Sequence, residues 1–284
     1  KRGDRVLSIL PLSHIFEQMV EFGALKKAAQ IMYAPALSSV IITRNLQENK
    51  ITKMAVVPEF LRLVMQRIEG EAKAQGKEKI FQALLKIVPA LPVKIRRILF
   101  HQVHQKFGGK LSLLVSGGAP LDLEVVKKWE AFGINIIQGY GLTETSPVIS
   151  LLPERDPKLA SIGKIIPGVE VKILEDGEIL VKGANVFQGY WKNPEKTKEA
   201  FEGEWFKTGD IGYFDKKGYL YMKGRKKFMI LTESGQNVYP EDIETELNKE
   251  EGIEDSYVGE LKKEGRIFVH AALSTKEKEG KVQE

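Results

Sequence analysis

The sequence has no cysteine among its 284 residues. A disulfide framework, a thiolate zinc site and a cysteine nucleophile are therefore excluded, and a reducing, cytoplasmic compartment is favoured. No apolar run reaches the roughly 18 residues that a membrane-spanning helix requires, and residues 1–5 lack the pattern of a signal peptide. Any membrane contact is expected to be peripheral. Dinucleotide-fingerprint and Walker spacings are missing as well.

The charge balance is mildly basic, with 43 Lys and Arg against 38 Asp and Glu and a net charge of +5. We expect this charge to be spread over Lys/Glu-rich surfaces. No basic block is interleaved with aromatic residues as in a nucleic-acid groove, so no nucleic-acid partner is expected, and a phosphate-rich small ligand fits the charge at least as well. The length and the 43% hydrophobic content favour two or more domains or subdomains.

A strand–helix–strand pattern covers residues 111–137. Residues 111–115 predict a strand, 116–120 a tight Ser-Gly-Gly-Ala-Pro turn and 122–132 an amphipathic helix, and the next strand begins at Ile134. Such a unit predicts two parallel strands with a right-handed crossover. The turn after Ser116 and the loop after Gln138 would then leave the carboxyl ends of adjacent strands, where open α/β sheets bind ligands.

The stretch 138–147, Gln-Gly-Tyr-Gly-Leu-Thr-Glu-Thr-Ser-Pro, follows the strand predicted over 134–137. Its glycines allow a ligand to approach the backbone, Tyr140 offers a flat face, and Thr143 with Glu144 can hold phosphate oxygens and a metal. An ordinary glycine-rich turn from strand to helix explains the same residues. In isolation the segment leaves both interpretations open.

The first hundred residues predict several helices. Ser13 is the expected N-cap of a helix running towards Leu25, and residues 59–74 and 79–87 form two more. A single helix is predicted over 94–107, with Arg96 and Arg97 in water and four apolar side chains inward: Ile95, Ile98, Leu99 and Val103. His101 and His104 have no third ligand in the pattern, so a metal site there is rejected.

After Pro147 the pattern becomes mainly antiparallel β, from about residue 162 to residue 223. Glu175-Asp176-Gly177 and the segment 215–218 are hairpin-turn signals. Asp210 follows a glycine between the predicted hairpins, which is typical of a turn; a ribose-binding carboxylate is the alternative. A helix is expected from Pro240 and strands over 257–261 and 267–273, whereas the charged residues 274–284 should fray.

The predicted fold class is α/β. A parallel-sheet α/β subdomain (1–160) is followed by a β-rich, barrel-like subdomain (161–223) and a small, truncated α+β C-terminal domain (224–284).

These segments resemble the adenylate-forming enzymes, a superfamily of acyl-CoA synthetases, peptide-synthetase adenylation domains and luciferases. Seven landmarks occur in the order typical of that family: 11–17 (PLSHIFE), 116–120 (SGGAP), 139–145 (GYGLTET), 177–179 (GEI) with 189–190 (GY), 208–210 (TGD), 224–227 (GRKK) and 237–244 (NVYPEDIE). The first and the last of them look most like long-chain fatty acyl-CoA synthetases.

The resemblance implies an ATP-dependent ligase. A fatty carboxylate would attack the α-phosphate of ATP to give an acyl-adenylate and pyrophosphate, and the thiol of CoA would then displace AMP. Magnesium would be bound by Glu144, and the implied catalytic residues are His14, Thr143 and Glu144. The implied nucleotide-binding residues are Gly117, Gly118, Ala119, Pro120, Gly139, Tyr140, Gly141, Thr143, Asp210 and Arg225.

Within that set, the resemblance implies that Tyr140 stacks on adenine and that Asp210 and Arg225 hold the ribose hydroxyls. His14 would line the acyl end of the cleft. Lys227 would be the hinge of the small domain, and Gly235 would help to form the pantetheine channel.

Two of the family's features are not in this sequence, which we therefore expect to be an internal portion of a longer enzyme. The phosphate-binding Ser/Thr/Gly-rich loop normally lies just upstream of residue 11, and the C-terminal bridging lysine lies beyond the motifs present. We expect feeble activity at best. Two alternatives stay open: an acyl-ACP or fatty-acyl-AMP ligase with acyl carrier protein as partner, and a non-catalytic nucleotide-binding module.

Overall fold

The computed structural model describes residues 3–119, 121–152, 158–231, 237–248, 250, 252–263 and 266–275. The chain forms two compact units. Unit 1 comprises Lys1–Val169 and Gly183–Gln188, and unit 2 comprises Glu170–Lys182 and Gly189–Glu284. The boundaries of the three domains inferred from the sequence stay predictions.

Unit 1 is built on one mixed sheet with helices. Its elements are β1 (Arg5–Ser8), α1 (Ile15–Lys26), β2 (Gln30–Tyr33), α2 (Ser39–Glu48), β3 (Lys53–Val56), α3 (Pro58–Ala74), α4 (Glu78–Ile87), α5 (Val93–Leu99), α6 (His101–Lys106), β4 (Leu113–Ser116), α7 (Leu123–Ala131), β5 (Asn135–Tyr140), β6 (Ser150–Leu151) and β7 (Lys164–Ile165). The strand order is β2-β1-β3-β4-β5-β6-β7. The first five strands are parallel, and β5, β6 and β7 pair antiparallel. The predicted parallel β4–α7–β5 unit is confirmed.

The core of unit 1 packs helices against the parallel strands. Trp129 and Phe132 of the α7 segment are fully buried, and the Trp129 indole N–H donates to the Leu61 carbonyl at 3.2 Å. His104 lies 2.7 Å through Nε2 from the Phe132 carbonyl oxygen, and its burial lowers its pKa. His104 therefore belongs to the core of unit 1.

The single helix predicted over 94–107 is wrong in two respects. It breaks at Phe100 (φ −101°, ψ 30°) into α5 and α6, and Ile95 and Ile98 are exposed while Arg96 and Arg97 point inward. The two guanidinium groups donate to six backbone carbonyls, those of Pro89, Leu91, Gly109, Leu111, Glu130 and Gly133. Arginine has five N–H donors, which satisfy backbone carbonyls that an isoleucine could not.

Unit 2 is mainly antiparallel β, as predicted. Its elements are β8 (Val169–Ile173), β9 (Glu178–Gly183), α8 (Pro194–Ala200), β10 (Phe201–Glu202), β11 (Trp205–Phe214), β12 (Leu220–Arg225), β13 (Ile230–Leu231), β14 (Asn237–Val238), α9 (Pro240–Leu247), β15 (Ile253–Lys263) and β16 (Arg266–Thr275). The main sheet has the order β10-β11-β9-β8, with β12 on β11. β13 pairs β14 and β15 pairs β16, both antiparallel.

The pattern analysis missed β2 and α2, which lie between residues 30 and 48. β2 is a four-residue edge strand with little burial, whereas α2 had a readable signal because Ser38 caps it by accepting from the Ile41 amide at 3.2 Å. The strands predicted over 257–261 and 267–273 are parts of the longer β15 and β16. Among the described residues, no helix has the length and apolar character needed to cross a membrane.

Candidate functional site

Two glycine loops meet at one edge of the unit 1 sheet. β4 and β5 run parallel with Ser116 opposite Gln138. A methyl group placed on Gly117 would lie 3.5 Å from the Phe16 ring and 3.6 Å from the Gly139 carbonyl oxygen. A methyl group placed on Gly118 (φ +88°) would meet no atom within 4 Å outside its chain neighbours, and Ala119 follows it. The predicted adjacency of these loops is confirmed within unit 1.

A buried hydroxyl lies at this junction. Ser116 is fully buried, and its Oγ has no hydrogen-bond partner in the part of the chain that the structure describes. Buried hydroxyls are usually hydrogen-bonded. An unsatisfied hydroxyl next to open space at two glycine loops fits a site that receives a polar ligand.

β5 continues three residues further than the sequence suggested. Gln138, Gly139 and Tyr140 are strand residues, because Gly139 and Tyr140 pair with Leu151 and Ser150 of β6. The prediction that the strand ended at residue 137 overlooked this partner, which is only two residues long. Tyr140 is 8% exposed, so the sheet and not a loose loop determines where its ring lies.

The next residues form a tightly folded turn. Thr145 is fully buried, and its hydroxyl accepts from the Leu142 amide at 2.9 Å while lying 2.9 Å from the Pro147 carbonyl oxygen. A methyl group on Gly141 would lie 1.6 Å from that same oxygen. Thr143–Thr145 is one 3-10 turn in which Thr143 is exposed and Glu144 is partly buried. Sequence reasoning gave Thr145 no role, although it orders the turn.

A second segment of unit 1 secures this turn from outside. The Asn185 side-chain amide donates to the carbonyls of Thr145 and Val148, both at 2.9 Å. The Phe187 amide donates to the Glu144 carbonyl at 2.8 Å. The segment Gly183–Gln188 packs with unit 1 although it lies in sequence beyond β8 and β9. Sequence analysis missed both residues because no local signal marks so distant a contact.

His14, and not Ser13, caps helix α1. Its Nδ1 accepts a hydrogen bond from the Phe16 amide at 3.2 Å, and its side chain is exposed. The predicted Ser13 cap is wrong because the chain turns at Pro11, whose carbonyl accepts from the His14 amide at 2.9 Å, so that the helix starts one residue later. Through Phe16, this helix start lies against Gly117.

Asp210 and Arg225 face each other across β11 and β12 in unit 2. They occupy paired positions, and Arg225 Nε lies 3.1 Å from Asp210 Oδ1. The Asp210 side chain is 1% exposed and that of Arg225 is 46% exposed. Asp210 was placed between hairpins, which is wrong: residues 208–210 lie inside β11, where a positive φ at Gly209 (+71°) accompanies a shift in the pairing register with β9.

A lysine that sequence reasoning did not single out sits beside this pair. Lys226 Nζ lies 2.7 Å from both Asp176 Oδ2 and Glu178 Oε2, and Glu178 Oε1 accepts from the Gly209 amide at 3.3 Å. The hydrogen bond from Lys226 lowers the pKa of Asp176, and the one to Asp176 raises the pKa of Lys226. The candidate hinge residue, Lys227, instead places its Nζ 4.6 Å from the centre of the Phe228 ring.

Two candidates, Pro120 and Gly235, lie outside the described residues. Among the described residues, no group of three or more His, Cys, Asp or Glu side chains could hold a metal ion. Glu144 alone still fits Mg²⁺ that arrives with a nucleotide, because Mg²⁺ keeps several waters and binds through one or two carboxylates plus substrate phosphates. The other nucleotide candidates divide between unit 1, up to Glu144, and unit 2, from Asp210.

Comparisons with known proteins match this chain over most of its length. The family model described as AMP-binding enzyme matches residues 1–191. The long-chain-fatty-acid–CoA ligase FadD15 of Mycobacterium bovis is 33% identical over 87% of this chain and 44% of that protein. The 2-succinylbenzoate–CoA ligase of Oceanobacillus iheyensis is 35% identical over 64% of this chain and 40% of that protein.

The same fold occurs in a solved structure. O-succinylbenzoate CoA synthetase from Bacillus subtilis, in complex with ATP and magnesium ion, is 25% identical with a TM-score of 0.72, covering 97% of this chain and 52% of that one. The chain thus spans less than half the length of the curated relatives given above. With a family model matched over 191 of its 284 residues, the chain belongs to the AMP-binding enzyme family.

Proposed function

We propose that this chain carries nucleotide-binding parts of an AMP-forming acid–CoA ligase whose acid is a long-chain fatty acid. The observation that carries the proposal is the junction of the Gly117 and Gly139 loops, beside which Thr145 and Asn185 hold the Thr143–Glu144 turn. In the reaction, the acid's carboxylate bonds to the α-phosphorus of ATP and pyrophosphate leaves. The CoA sulfur then bonds to the acyl carbon and AMP leaves.

Unit 1 would bind the base and the α-phosphate. Tyr140 offers its ring to adenine beside the glycine loops, and the exposed Thr143 hydroxyl donates to an α-phosphate oxygen. Glu144 would bind Mg²⁺, which supplies neutralisation of phosphate charge when present. His14 would lie towards the acyl end, because the helix that it caps begins against Gly117.

Unit 2 would bind the sugar. Asp210 and Arg225 supply a carboxylate acceptor and a guanidinium donor at one point of the sheet, and these groups suit two ribose hydroxyls. Lys227 is proposed as the hinge and Gly235 as part of the CoA channel on the family resemblance alone. These assignments stay proposals.

The extent of the similarity supports a fatty acid as the substrate. The likeness to the fatty-acid ligase covers 87% of this chain, whereas the likeness to the succinylbenzoate ligase covers 64% at nearly the same identity. The two relatives are named for different acids. Both therefore support the chemistry of adenylation, whereas only the longer similarity to the fatty-acid ligase supports the identity of the acid.

Nucleotide binding tests the proposal directly. We expect the chain to bind AMP in calorimetric titration, with Tyr140→Ala weakening binding about tenfold or more, as loss of base stacking predicts. Tyr140→Phe keeps the ring and should bind like the parent. The exposed Tyr257 provides the control Tyr257→Ala. Equal binding by parent and Tyr140→Ala, with both folded, would refute this placement of the base.

Two further assays separate the alternatives. Supplying Mg-ATP and palmitate with either CoA or holo-acyl carrier protein, and measuring thioester, distinguishes a CoA ligase from an acyl-ACP ligase. Release of acyl-adenylate without either thioester indicates a fatty-acyl-AMP ligase. Pyrophosphate exchange by the chain would exclude a non-catalytic nucleotide-binding module.

A further inference from the structure

Helices α4 and α5 of unit 1 expose branched apolar side chains to solvent. Ile80 is 64% exposed and Ile87 62% on α4, and Ile98 is 70% exposed and Leu99 43% on α5. α4 cannot bury its isoleucines by rotating, because Phe81, about 100° round the helix from Ile80, already lies in the core. The apolar side of this helix is therefore wider than the part that packs into the core, and the edge that carries Ile80 and Ile87 lies in solvent.

The part of the chain that contains α4 and α5 has a larger net positive charge than the whole protein. Between Lys77 and Lys110 there are eight Lys and Arg residues and one acidic residue, Glu78, a net charge of +7. The whole chain carries only +5, so the remainder is slightly acidic. Contrary to expectation, the excess positive charge is concentrated in residues 77–110 and is not spread over Lys/Glu-rich surfaces.

Charge and apolar surface are interleaved on this face. Lys79 and Lys86 are exposed and directly precede Ile80 and Ile87 on α4. Ile80 and Leu99 line one groove, with Phe81, Leu84 and Phe100 among its other apolar residues and Lys77 and Lys106 among its polar ones. Lys106 also pairs with Glu71 of α3. The groove thus joins Ile80 of α4 to Leu99 of α5, with Lys77 and the Lys106–Glu71 pair among its polar lining.

We propose that α4 and α5 form a docking surface for a lipid bilayer that contains anionic phospholipids. Isoleucines flanked by lysines are the composition with which interfacial helices insert apolar groups below a layer of anionic headgroups. Charge complementarity selects this partner. A second copy of the chain docking face to face would bring the exposed Lys79, Lys86 and Lys94 of the two copies together, and that association is repulsive.

The docking surface is independent of nucleotide binding, since it involves none of the residues assigned to the nucleotide. It lies wholly within unit 1. Vesicle binding and AMP binding can therefore succeed or fail separately, and a failure of one does not imply a failure of the other.

Vesicle co-sedimentation tests the surface. We expect the chain to bind vesicles of phosphatidylcholine with about one-third phosphatidylglycerol, to bind pure phosphatidylcholine at least about tenfold more weakly, and to be released as salt screens the charges. The double variants Ile80→Ser/Ile87→Ser and Lys79→Glu/Lys86→Glu should each lose about tenfold or more in partitioning. All four positions are exposed, so circular dichroism and thermal melting should match the parent.

Matched controls lie on α1 of the same unit. Phe22 and Leu25 are exposed apolar residues, and Lys26 and Lys27 are exposed lysines. Phe22→Ser/Leu25→Ser and Lys26→Glu/Lys27→Glu should bind vesicles like the parent. Equal binding to neutral and anionic vesicles would overturn the proposal, as would equal losses in the α1 and α4 variants. So would a self-association that the α4 variants abolish while vesicle binding persists.

Discussion

The Glu178 carboxylate lies 2.7 Å from the Lys226 ammonium, and its other oxygen accepts from the Gly209 amide. One buried side chain thereby connects the segment after β12 with the backbone next to Asp210. Because Glu178 is 5% exposed, its charge depends on Lys226 for compensation. Position 226 therefore has a structural effect that a half-exposed lysine would not normally have.

Replacing this lysine should destabilise unit 2. Lys226→Ala leaves the Glu178 carboxylate buried without its cation, and we expect a loss of about 1 kcal/mol in the free energy of unfolding. Lys182→Ala removes the exposed Lys182–Glu204 pair of the same unit and should leave the denaturation midpoint unchanged. Urea denaturation measures both. Identical midpoints for the two variants would contradict this role for Lys226.

Glu17 should make the stability of unit 1 depend on pH. The side chain of Glu17 on α1 is fully buried. Burial raises its pKa and Glu21 adds to the rise, against a lowering by Ser8. A carboxyl group with a raised pKa favours folding while it is protonated, so this stabilisation is complete below the unfolded-state pKa and is lost as pH rises through the folded-state pKa.

Glu17→Gln should therefore melt a few degrees above the parent at pH 7, the shift that about 1–2 kcal/mol produces in a domain of this size. The difference should vanish near pH 4, where the parent is protonated as well. Melting curves from pH 4 to pH 8 measure it, with the exposed Glu254→Gln as control. A difference of the same size at pH 4 and pH 7 would show that ionisation is not its cause.

Replacing each of two threonines in the same turn should affect different properties, stability in one case and nucleotide binding in the other. Thr145→Val removes a buried hydroxyl that bonds to the Leu142 amide, and we expect it to cost about 1–3 kcal/mol of stability. Thr143→Val alters an exposed side chain and should leave stability unchanged while weakening Mg-ATP binding. Thermal melts and nucleotide titration separate the effects. A stable Thr145→Val protein would contradict the bonding described for this turn.

Two glycine-to-alanine substitutions should change the stability of the protein in opposite directions. Gly141→Ala places a methyl group 1.6 Å from the Pro147 carbonyl oxygen, so the turn must move and the protein should lose stability. Gly70→Ala lies inside α3 with no atom within 4 Å, and it should gain about 0.5–1 kcal/mol through helix propensity. Chemical denaturation tests both. A Gly141→Ala protein as stable as the parent would contradict the observed packing.

Local patterns were sufficient for much of the fold. The parallel β4–α7–β5 unit, the hairpin between β11 and β12 and the helix starting at Pro240 follow from apolar periodicity, turn residues and capping. The adjacency of the Gly117 and Gly139 loops also follows, because parallel neighbouring strands end at the same edge. These features depend on residues near one another in sequence.

The sequence patterns gave wrong predictions where contacts between residues distant in sequence determine the local structure. Ile98 is exposed and Arg96 points inward, the reverse of the prediction. The reason is that Arg96 and Arg97 donate to six backbone carbonyls, some of them more than 30 residues away in sequence. β5 was extended through Tyr140 by the two-residue β6. A side chain's helical spacing does not reveal which backbone groups it will meet across the core.

The sequence by itself determined the class of the protein, the order of those elements that local patterns mark and its likeness to one enzyme family, since these depend on composition, periodicity and ordered motifs. Only the tertiary structure decided that Asn185 secures the Glu144 turn, that Lys226 neutralises Glu178, and that the isoleucines of α4 and α5 lie in solvent among lysines. The reason is physical: a buried charge, an unsatisfied carbonyl or an exposed apolar side chain is defined by neighbours that only folding brings together.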